Sequence, residues 1–402
     1  MTPRIIIAGA GLAALRTVEA LRRTGASARV TVIGDESYPP YQRPPLSKEL
    51  LSQETPPSEP VWALPSAAYD DLDVDLRLGC PAVSLHPDAR EVGLDDGSRV
   101  PWDRLVIATG ARARMPAAWE DLPHVFALRG FADLLALRAA LRSARRVLVV
   151  GAGVLGCEVA AAVRRRGLEV HLVDPEPQPM ARVLGTTVGA LVADEARTAG
   201  VVLHLERKPV RLTAAQTILD DGTAIAADLV VAAVGSIPNT GWLEGSGLTL
   251  HDSAVLVDEF GQGSVPGVFG VGDAVVHGSP AGPRPRQEHW TYAVESAAAV
   301  GRNLLAAPSE RQVVPQLAYT WTDQWGIKIQ TLGRATPAVV IDEHDVGTRR
   351  LLGLYTEDGR VVGAVGWNRT PQLMRLRRPV AEAWPLHAVR ELTRSFAPPT
   401  HA

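Results

Sequence analysis

Arg4 to Ala14 reads RIIIAGAGLAA, and Arg146 to Gly156 reads RVLVVGAGVLG. Each is a short β-rich run entering G-x-G-x-x-G/A, followed by an Ala- and Arg-rich stretch of helical character. A second repeat follows each of them. Leu94 to Gly110 is LDDGSRVPWDRLVIATG and Leu219 to Gly235 is LDDGTAIAADLVVAAVG, with eight of seventeen positions identical. Agreement over two separate segments marks one folding unit present twice. The unit is a strand, a glycine turn and a helix, with a later strand ending in a small-residue turn. The fold class that follows is α/β, with two Rossmann-like dinucleotide-binding domains.

Each glycine has its own physical task. Gly9 and Gly151 allow the sharp bend out of the strand, and Gly11 and Gly153 let the main chain approach a pyrophosphate. Ala14 and Gly156 keep the following helix tight against the sheet. The helix start then offers unpaired N–H groups and a partial positive charge to phosphates. The apolar run Ile5 to Leu15, bounded by Arg4 and Arg16, also has the character of a signal-peptide core. Gly9 and Gly11 favour the strand and turn, and no other apolar run approaches the length of a membrane span. A cytoplasmic location is expected.

The acids at the ends of the second strands differ. Glu169 to Asp174 reads EVHLVD, and Asp174 follows Gly151 by 23 residues, where it is expected to accept hydrogen bonds from a ribose. The tail PEPQP after it offers no Lys or Arg for a 2′-phosphate. A carboxylate about 4 Å from that phosphate costs between ~1 and ~4 kcal/mol, which favours NADH by roughly one to three decades. In the first unit, ARVTVIGDE at 28–36 puts Gly34 in the strand-end slot. Asp35 is the expected ribose acid there, with Glu36 its nearest competitor.

Composition bounds the remaining classes. The chain has 402 residues, 46% hydrophobic and 21% charged, enough for two or three domains of ordinary globular composition. A net charge of -3 implies neither a nucleic-acid binder nor an acidic tail. Cys80 and Cys157 are the only cysteines, without a CxxC pair or metal-ligand spacing, so neither a disulfide scaffold nor a metal site is expected.

The stretch VIGDESYPPYQRPPLSKEL at 32–50 resembles FAD-dependent ferredoxin reductases of the putidaredoxin-reductase and aromatic-dioxygenase-reductase type. The resemblance continues through ATG at 108–110, GAGVLGCEVA at 151–160, VGSIPN at 234–239, VGDA at 271–274, EHWTYA at 288–293 and YTWTDQWGIKIQ at 319–330. It implies a tightly bound FAD and an exchanging NAD(H). It places Ala13 and Asp35 on the AMP half of FAD, and Arg43 and Lys48 near the pyrophosphate and isoalloxazine. Val83, Arg129, Ala108, Thr109, Gly110, Gly235 and Gly272 are implied as further cofactor contacts. Asp273 is implied at the ribityl–pyrophosphate region, with Trp290 and Trp321 beside the flavin. Glu158 resembles the family glutamate that pairs with the lysine near the flavin's reacting nitrogen, so Lys48 and Glu158 are the expected catalytic pair. Two positions depart from the pattern: Ala14 replaces a commoner glycine, and Gln42 stands where an acid or His is frequent.

Related flavoenzymes that reduce disulfides or peroxides need a thiolate beside the flavin. Tyr38 to Lys48 contains none, and Cys80 and Cys157 are expected to be buried small residues. Electrons are therefore expected to leave FAD to an external carrier, a 2Fe–2S ferredoxin serving a haem monooxygenase or a Rieske-type oxygenase. The expected division is an FAD domain at 1–111 and 237–311, an NAD domain at 112–236, and a C-terminal α+β domain at 312–402. RRLLGLYTEDGRVVGAVGW at 349–367 reads as a hairpin turning at Glu357, Asp358 and Gly359. Arg349, Arg350, Arg369, Arg375, Arg377 and Arg378 make the last domain locally basic, either for docking an acidic partner or as a solvated face. A monomer or weak homodimer is expected. Two other functions stay open: an NADH oxidase or quinone reductase without a protein carrier, and an NAD-sensing flavoprotein resembling apoptosis-inducing factor.

Overall fold

The two repeats fold alike. In the computed structural model, which describes residues 2–65, 67–279 and 282–396, Arg4–Ala8 is the middle strand of a five-stranded parallel sheet. Its order is Val268–Gly270, Arg104–Ile107, Arg4–Ala8, Arg29–Ile33, Val74–Arg77. Arg146–Val150 holds the same place in a second parallel sheet, ordered Val201–Leu205, Glu169–Asp174, Arg146–Val150, Leu229–Ala232, Val125–Phe126. The middle strands are nearly continuous apolar runs because parallel sheets of this kind are covered on both faces. Ile5, Ile7, Val147, Leu148 and Val149 are all fully buried.

The identical residues of the longer repeat carry matching bonds. Gly97 N–H bonds Leu94 O at 3.1 Å and Gly222 N–H bonds Leu219 O at 3.0 Å, closing the turns before strands Arg99–Pro101 and Ala224–Ala226. Asp103 accepts the backbone N–H of Arg4 at 2.8 Å, and Asp228 accepts those of Arg145 and Arg146 at 2.7 and 2.9 Å. Each acid therefore latches the start of its middle strand to the strand beside it. The Arg4 side chain bonded to Asp103 lowers that carboxyl to about 2. The two backbone donors hold Asp228 below the usual carboxylate range as well.

The described residues form two compact units. One comprises residues 2–42, 59–65, 67–112, 236–279 and 282–316, and the other residues 43–58, 113–235 and 317–396. Residues 43–58, expected with the first fold, thus belong with the second unit. The reason is local: Arg138 and Arg166 of that unit bond the carbonyls of residues 50–54.

The C-terminal region joins the second unit as a five-stranded antiparallel sheet ordered Tyr319–Gln324, Ile327–Gly333, Arg360–Trp367, Arg350–Glu357, Val339–Asp345. Its hairpin is tighter than the sequence implied, because Glu357 pairs with Arg360 and only Asp358 and Gly359 turn. Both have positive φ, 49° and 73°, the pair of values a two-residue Asp-Gly turn requires. The helices Thr370–Met374, Arg377–Ala381 and Leu386–Arg394 bury Leu373, Val380 and Val389 in one cluster with the sheet's Leu332, Leu354 and Ala364. Residues 397–402 of the expected C-terminal domain lie outside the described residues. Among the described residues, no helix is long and apolar enough to cross a membrane, and no cluster of His, Cys, Asp and Glu has the make-up of a metal site.

Candidate functional site

The first glycine of each turn is constrained twice. Gly9 has a φ of +108° and Gly151 of +103°; a Cβ would stand 2.2 Å from Ala108 O on the one and 2.3 Å from Ala233 O on the other. Only glycine meets both conditions. The second glycines, Gly11 and Gly153, are the N-caps of helices Leu12–Arg22 and Val154–Arg165. Nothing lies within 4 Å of where their Cβ atoms would stand. Neither helix has a side-chain cap or an acid in its first turn. The leading N–H groups are left for an anion beside open space, the fit a dinucleotide's diphosphate requires.

The turns diverge at their third position and at their acids. A Cβ on Gly156 would stand 1.8 Å from Gly151 O, whereas Ala14 is accommodated fully buried. Asp174 is 9% exposed, and its carboxylate accepts Ala152 N–H at 2.5 Å and Glu176 N–H at 2.8 Å. Its remaining lone pairs are what a ribose would use. Asp35 is exposed and, among the described residues, accepts only the neighbouring Glu36 N–H, at 3.1 Å. Glu36 accepts the Tyr41 hydroxyl at 2.5 Å, so the competing acid is the more engaged of the two.

Folding also brings two arginines to the Asp174 loop that spacing along the chain does not reveal. Arg207 N–H bonds Asp174 O at 3.1 Å, and Arg182 donates to Glu176 at 2.9 Å. Arg182 is spent on Glu176 and Arg207 on Asp221, at 2.7 Å. With Asp174 added, acids outnumber arginines at this loop.

In the first unit, several motifs converge on the Gly9 turn. Thr109 Oγ1 donates to Asn239 O at 2.6 Å, and Asn239 returns bonds to Thr109 O at 3.2 Å and Gly110 O at 2.9 Å. These join ATG to IPN. Gly272 lies against Ala13 and Ala293, with 3.4 Å from its would-be Cβ to the Ala13 Cβ. Asp273 therefore sits beside the start of the first helix, and its carbonyl accepts Arg286 at 3.0 Å. The Trp290 indole donates to Gln42 Oε1 at 2.9 Å, which gives the departing residue a role. Val83 is 48% exposed on strand Ala82–His86, and no bond ties it to the turn among the described residues.

The second unit holds a buried ionic cluster. Lys48 Nζ is 2.8 Å from Glu158 Oε1, with side chains 12% and 5% exposed. Thr322 Oγ1 donates to Glu158 Oε1 at 2.6 Å, Ser47 Oγ donates to Oε2, and Lys48 Nζ also reaches Pro44 O at 3.3 Å. A carboxylate this buried is tolerated because Lys48, Thr322 and Ser47 all supply protons to it. The short segment carrying Lys48 is held from behind by Arg138, 4% exposed, which donates to Leu50 O at 2.5 Å and Glu54 O at 3.0 Å. Arg43 donates to Arg129 O at 2.8 Å, bringing those two expected cofactor arginines together. Trp321 precedes Thr322 on strand Tyr319–Gln324 and stacks on Tyr319 at 6.1 Å. Gly235, with φ +103°, has open space around its would-be Cβ and bonds Arg114 N–H through its carbonyl.

Sequence reasoning missed Ser47, Thr322, Arg138, Asn239 and Arg286. Ser47 and Thr322 flank expected residues inside recognised motifs, so adjacency was the available signal. Arg138 left none. Cys157 is fully buried, its thiol pushed up by burial and its Sγ 3.4 Å from Ala152 O. Cys80, expected to be buried, is half-buried, and burial raises it too. The basic stretch near the C-terminus is largely compensated: Arg349 pairs with Glu195, Arg369 with Glu343 and Arg378 with Glu382, while Arg375 stacks 4.2 Å over Phe396.

Residues 3–297 match the family described as pyridine nucleotide-disulphide oxidoreductase, and residues 319–393 match the reductase C-terminal family. The chain is 34% identical over 385 residues to the ferredoxin–NAD(+) reductase component of the anthranilate 1,2-dioxygenase system of Burkholderia cepacia, covering 94% of this chain and 93% of that protein. It is 32% identical to rhodocoxin reductase of Rhodococcus erythropolis, over 95% and 90% of the two chains. Among solved structures, a ferredoxin reductase from Rhodopseudomonas palustris superposes with a TM-score of 0.90 at 29% identity, covering 99% of this chain and 100% of that one.

Proposed function

Because the chain belongs to the pyridine nucleotide-disulphide oxidoreductase family, in its ferredoxin reductase branch, we propose that it passes electrons from NADH through FAD to a ferredoxin. The carrier in this reading is a 2Fe–2S protein that supplies a haem monooxygenase or Rieske-type oxygenase. FAD resides at the Gly9 turn and NADH visits the Gly151 turn. The proposed division by cofactor is 1–111 with 237–311 for FAD, 112–236 for NAD and 312–402 for the C-terminal domain, although residues 43–58 pack with the second unit. A cytoplasmic location and a monomer or weak homodimer belong to the same proposal.

One observation carries the reading: a buried Lys48–Glu158 pair whose lysine sits in a segment, Tyr38 to Lys48, that has no cysteine. Bound FAD supplies the two-electron to one-electron conversion that links a nicotinamide to an iron–sulphur carrier. The chain's own residues bind and tune it. Gly9, Gly11 and Ala13, with Ala108 to Gly110, Gly272 and Asp273, would hold the diphosphate and its flanks. Arg43 and Arg129 would add positive charge, and Val83, Trp290 and Trp321 apolar contact. Lys48 would supply a fixed ammonium favouring added negative charge on the bound flavin. Glu158 holds that ammonium in place, with Ser47 and Thr322 fixing the carboxylate. At the second turn, Gly151, Gly153 and Gly156 admit the NADH diphosphate, Gly235 leaves room beside it, and Asp174 receives its ribose.

Cys157, with its raised pKa and full burial, does not supply a thiolate relay. The test is anaerobic NADH-driven reduction of a 2Fe–2S ferredoxin, compared with NADH consumption in air and with a quinone. Fast reduction of the ferredoxin, with slow oxygen and quinone turnover, is the expected outcome. Equal NADH consumption without any protein carrier would overturn it.

A further inference from the structure

A cavity of about 350 Å³ in the first unit is lined by Arg90, Arg104 and Arg311, together with Gln262 and the Pro266–Gly267 turn. Its place follows from strand direction. Strands Arg4–Ala8, Arg104–Ile107 and Val268–Gly270 run parallel. Gly9 follows the end of the first of these, whereas Arg104 begins the second and Gly267 immediately precedes the third. The cavity therefore opens at the starts of the strands and the dinucleotide turn at their ends.

The arginines are short of acids. Arg104 donates to two carbonyls, Leu304 O at 3.0 Å and Asp103 O at 2.9 Å. Arg311 donates to the Gln262 amide oxygen at 2.6 Å and lies 5.5 Å over the Phe269 ring. Its Nε is buried without a hydrogen-bond partner among the described residues. The Arg90 side chain has no hydrogen bond or ion pair among the described residues. Asp103, whose charge Arg90 feels, is already bonded to Arg4 through both carboxylate oxygens. Guanidinium groups do not shed their protons in proteins. Three permanent positive charges thus line one small cavity in a chain whose net charge is -3.

We propose that this cavity, at the opposite end of its sheet from the Gly9 turn, binds a small multivalent oxyanion. The arginine forks match the oxygens of a phosphate or carboxylate group. The unpartnered Arg311 Nε and the unspent Arg90 donors are the groups such an anion satisfies. The volume admits a diphosphate or a small polycarboxylate and excludes a folded partner. The strands that start at this cavity run on to Ala108–Gly110 and to Gly272–Asp273, so occupancy ties together the segments that reach the cofactor turn.

The test is calorimetric titration of the FAD-loaded full chain with inorganic pyrophosphate, and separately with citrate, at constant ionic strength. Saturating NAD+ keeps the Gly151 turn occupied. The wild type binds pyrophosphate saturably, and Arg311→Gln and Arg90→Gln each weaken that binding about tenfold, the loss of one charge-assisted hydrogen bond. An unchanged flavin spectrum and melting temperature without anion certify that the variants are folded. Citrate binding more tightly than pyrophosphate assigns the site to carboxylates, and the reverse order to phosphates. Absence of saturable binding of either anion in the wild type, or equal binding by the wild type and both variants, overturns the proposal. Neither result bears on ferredoxin reduction, which is read separately.

Discussion

The two glycine turns agree within 5° in the φ of their first glycine and within about 0.1 Å in its approach to the neighbouring strand, yet their acids are held in opposite ways. Asp174 is buried and bonded into its own turn through Ala152 N–H. Asp35 is exposed, and Gly34 before it packs against Ala10, with only 2.4 Å to its would-be Cβ. The second turn has its acid pre-set, as suits a ligand that must be recognised at every turnover. The first turn draws instead on segments from far along the chain, Ala108–Gly110 with Asn239, and Gly272–Asp273. A ligand gripped from several segments is slow to leave, which suits a resident cofactor.

The largest effects are expected at the glycines. Gly9→Ala meets a backbone oxygen and a positive φ together, so purified protein should lack its yellow colour. Gly156→Ala should leave flavin bound and weaken NADH by tenfold or more, about 1–3 kcal/mol of overpacking. Ala14→Gly should change neither. Titrations of each variant with FAD and NADH decide this, and symmetric losses would break the contrast between the turns.

Lys48→Met comes next. It strands Glu158 as a buried charge, with a loss of about 3–5 kcal/mol expected in denaturant unfolding. Flavin reduction by NADH should slow at the same time. Lys48→Met with Glu158→Gln should recover much of the stability but not the rate. Recovery of both would reduce the pair to a structural device.

A smaller effect separates the two acids. Asp174→Ala should narrow the NADH over NADPH preference by about tenfold and raise the KM for both, because the turn loses its Ala152 bond. Asp35→Ala should alter FAD retention only slightly. An unchanged cofactor ratio in Asp174→Ala would remove that residue from ribose recognition.

The smallest effect concerns the latches that the turns share. Asp103 and Asp228 are both lowered in the folded state. Their stabilisation is full above the ordinary carboxylate value near pH 4 and is lost as pH falls through the folded values, about 2 for Asp103. Asp103→Asn and Asp228→Asn should therefore lower stability at neutral pH and flatten its fall below about pH 4. A steeper acid limb in either variant would contradict the assignment.

The doubled architecture was legible because it rests on local rules: glycines where φ must be positive, apolar runs where strands are covered on both faces, and an Asp-Gly pair where a hairpin turns. Even the shared Asp of the longer repeat proved to be a matching strand latch. Lys48 and Glu158 were legible only through the resemblance, since 110 residues separate them. Ser47 and Thr322 were marked only by adjacency to expected residues and Arg138 not at all, because a buried charge collects its donors from whichever strands and helices happen to surround it. Arg182 and Arg207 escaped for the same reason: the PEPQP tail has no cation, but the fold delivers two. The grouping of residues 43–58 with the second unit was hidden likewise, resting on arginine-to-carbonyl bonds that leave no periodic mark.

Electron transfer from NADH to a one-electron protein carrier is the central claim, and double-mixing stopped flow tests it most directly. NADH is mixed first with the oxidised protein under anaerobic conditions, and a 2Fe–2S ferredoxin is added after the flavin has bleached. Rapid bleaching followed by return of the flavin band in step with ferredoxin reduction is the predicted result. A long-lived charge-transfer band that ferredoxin does not discharge, while oxygen or a quinone does, would contradict it.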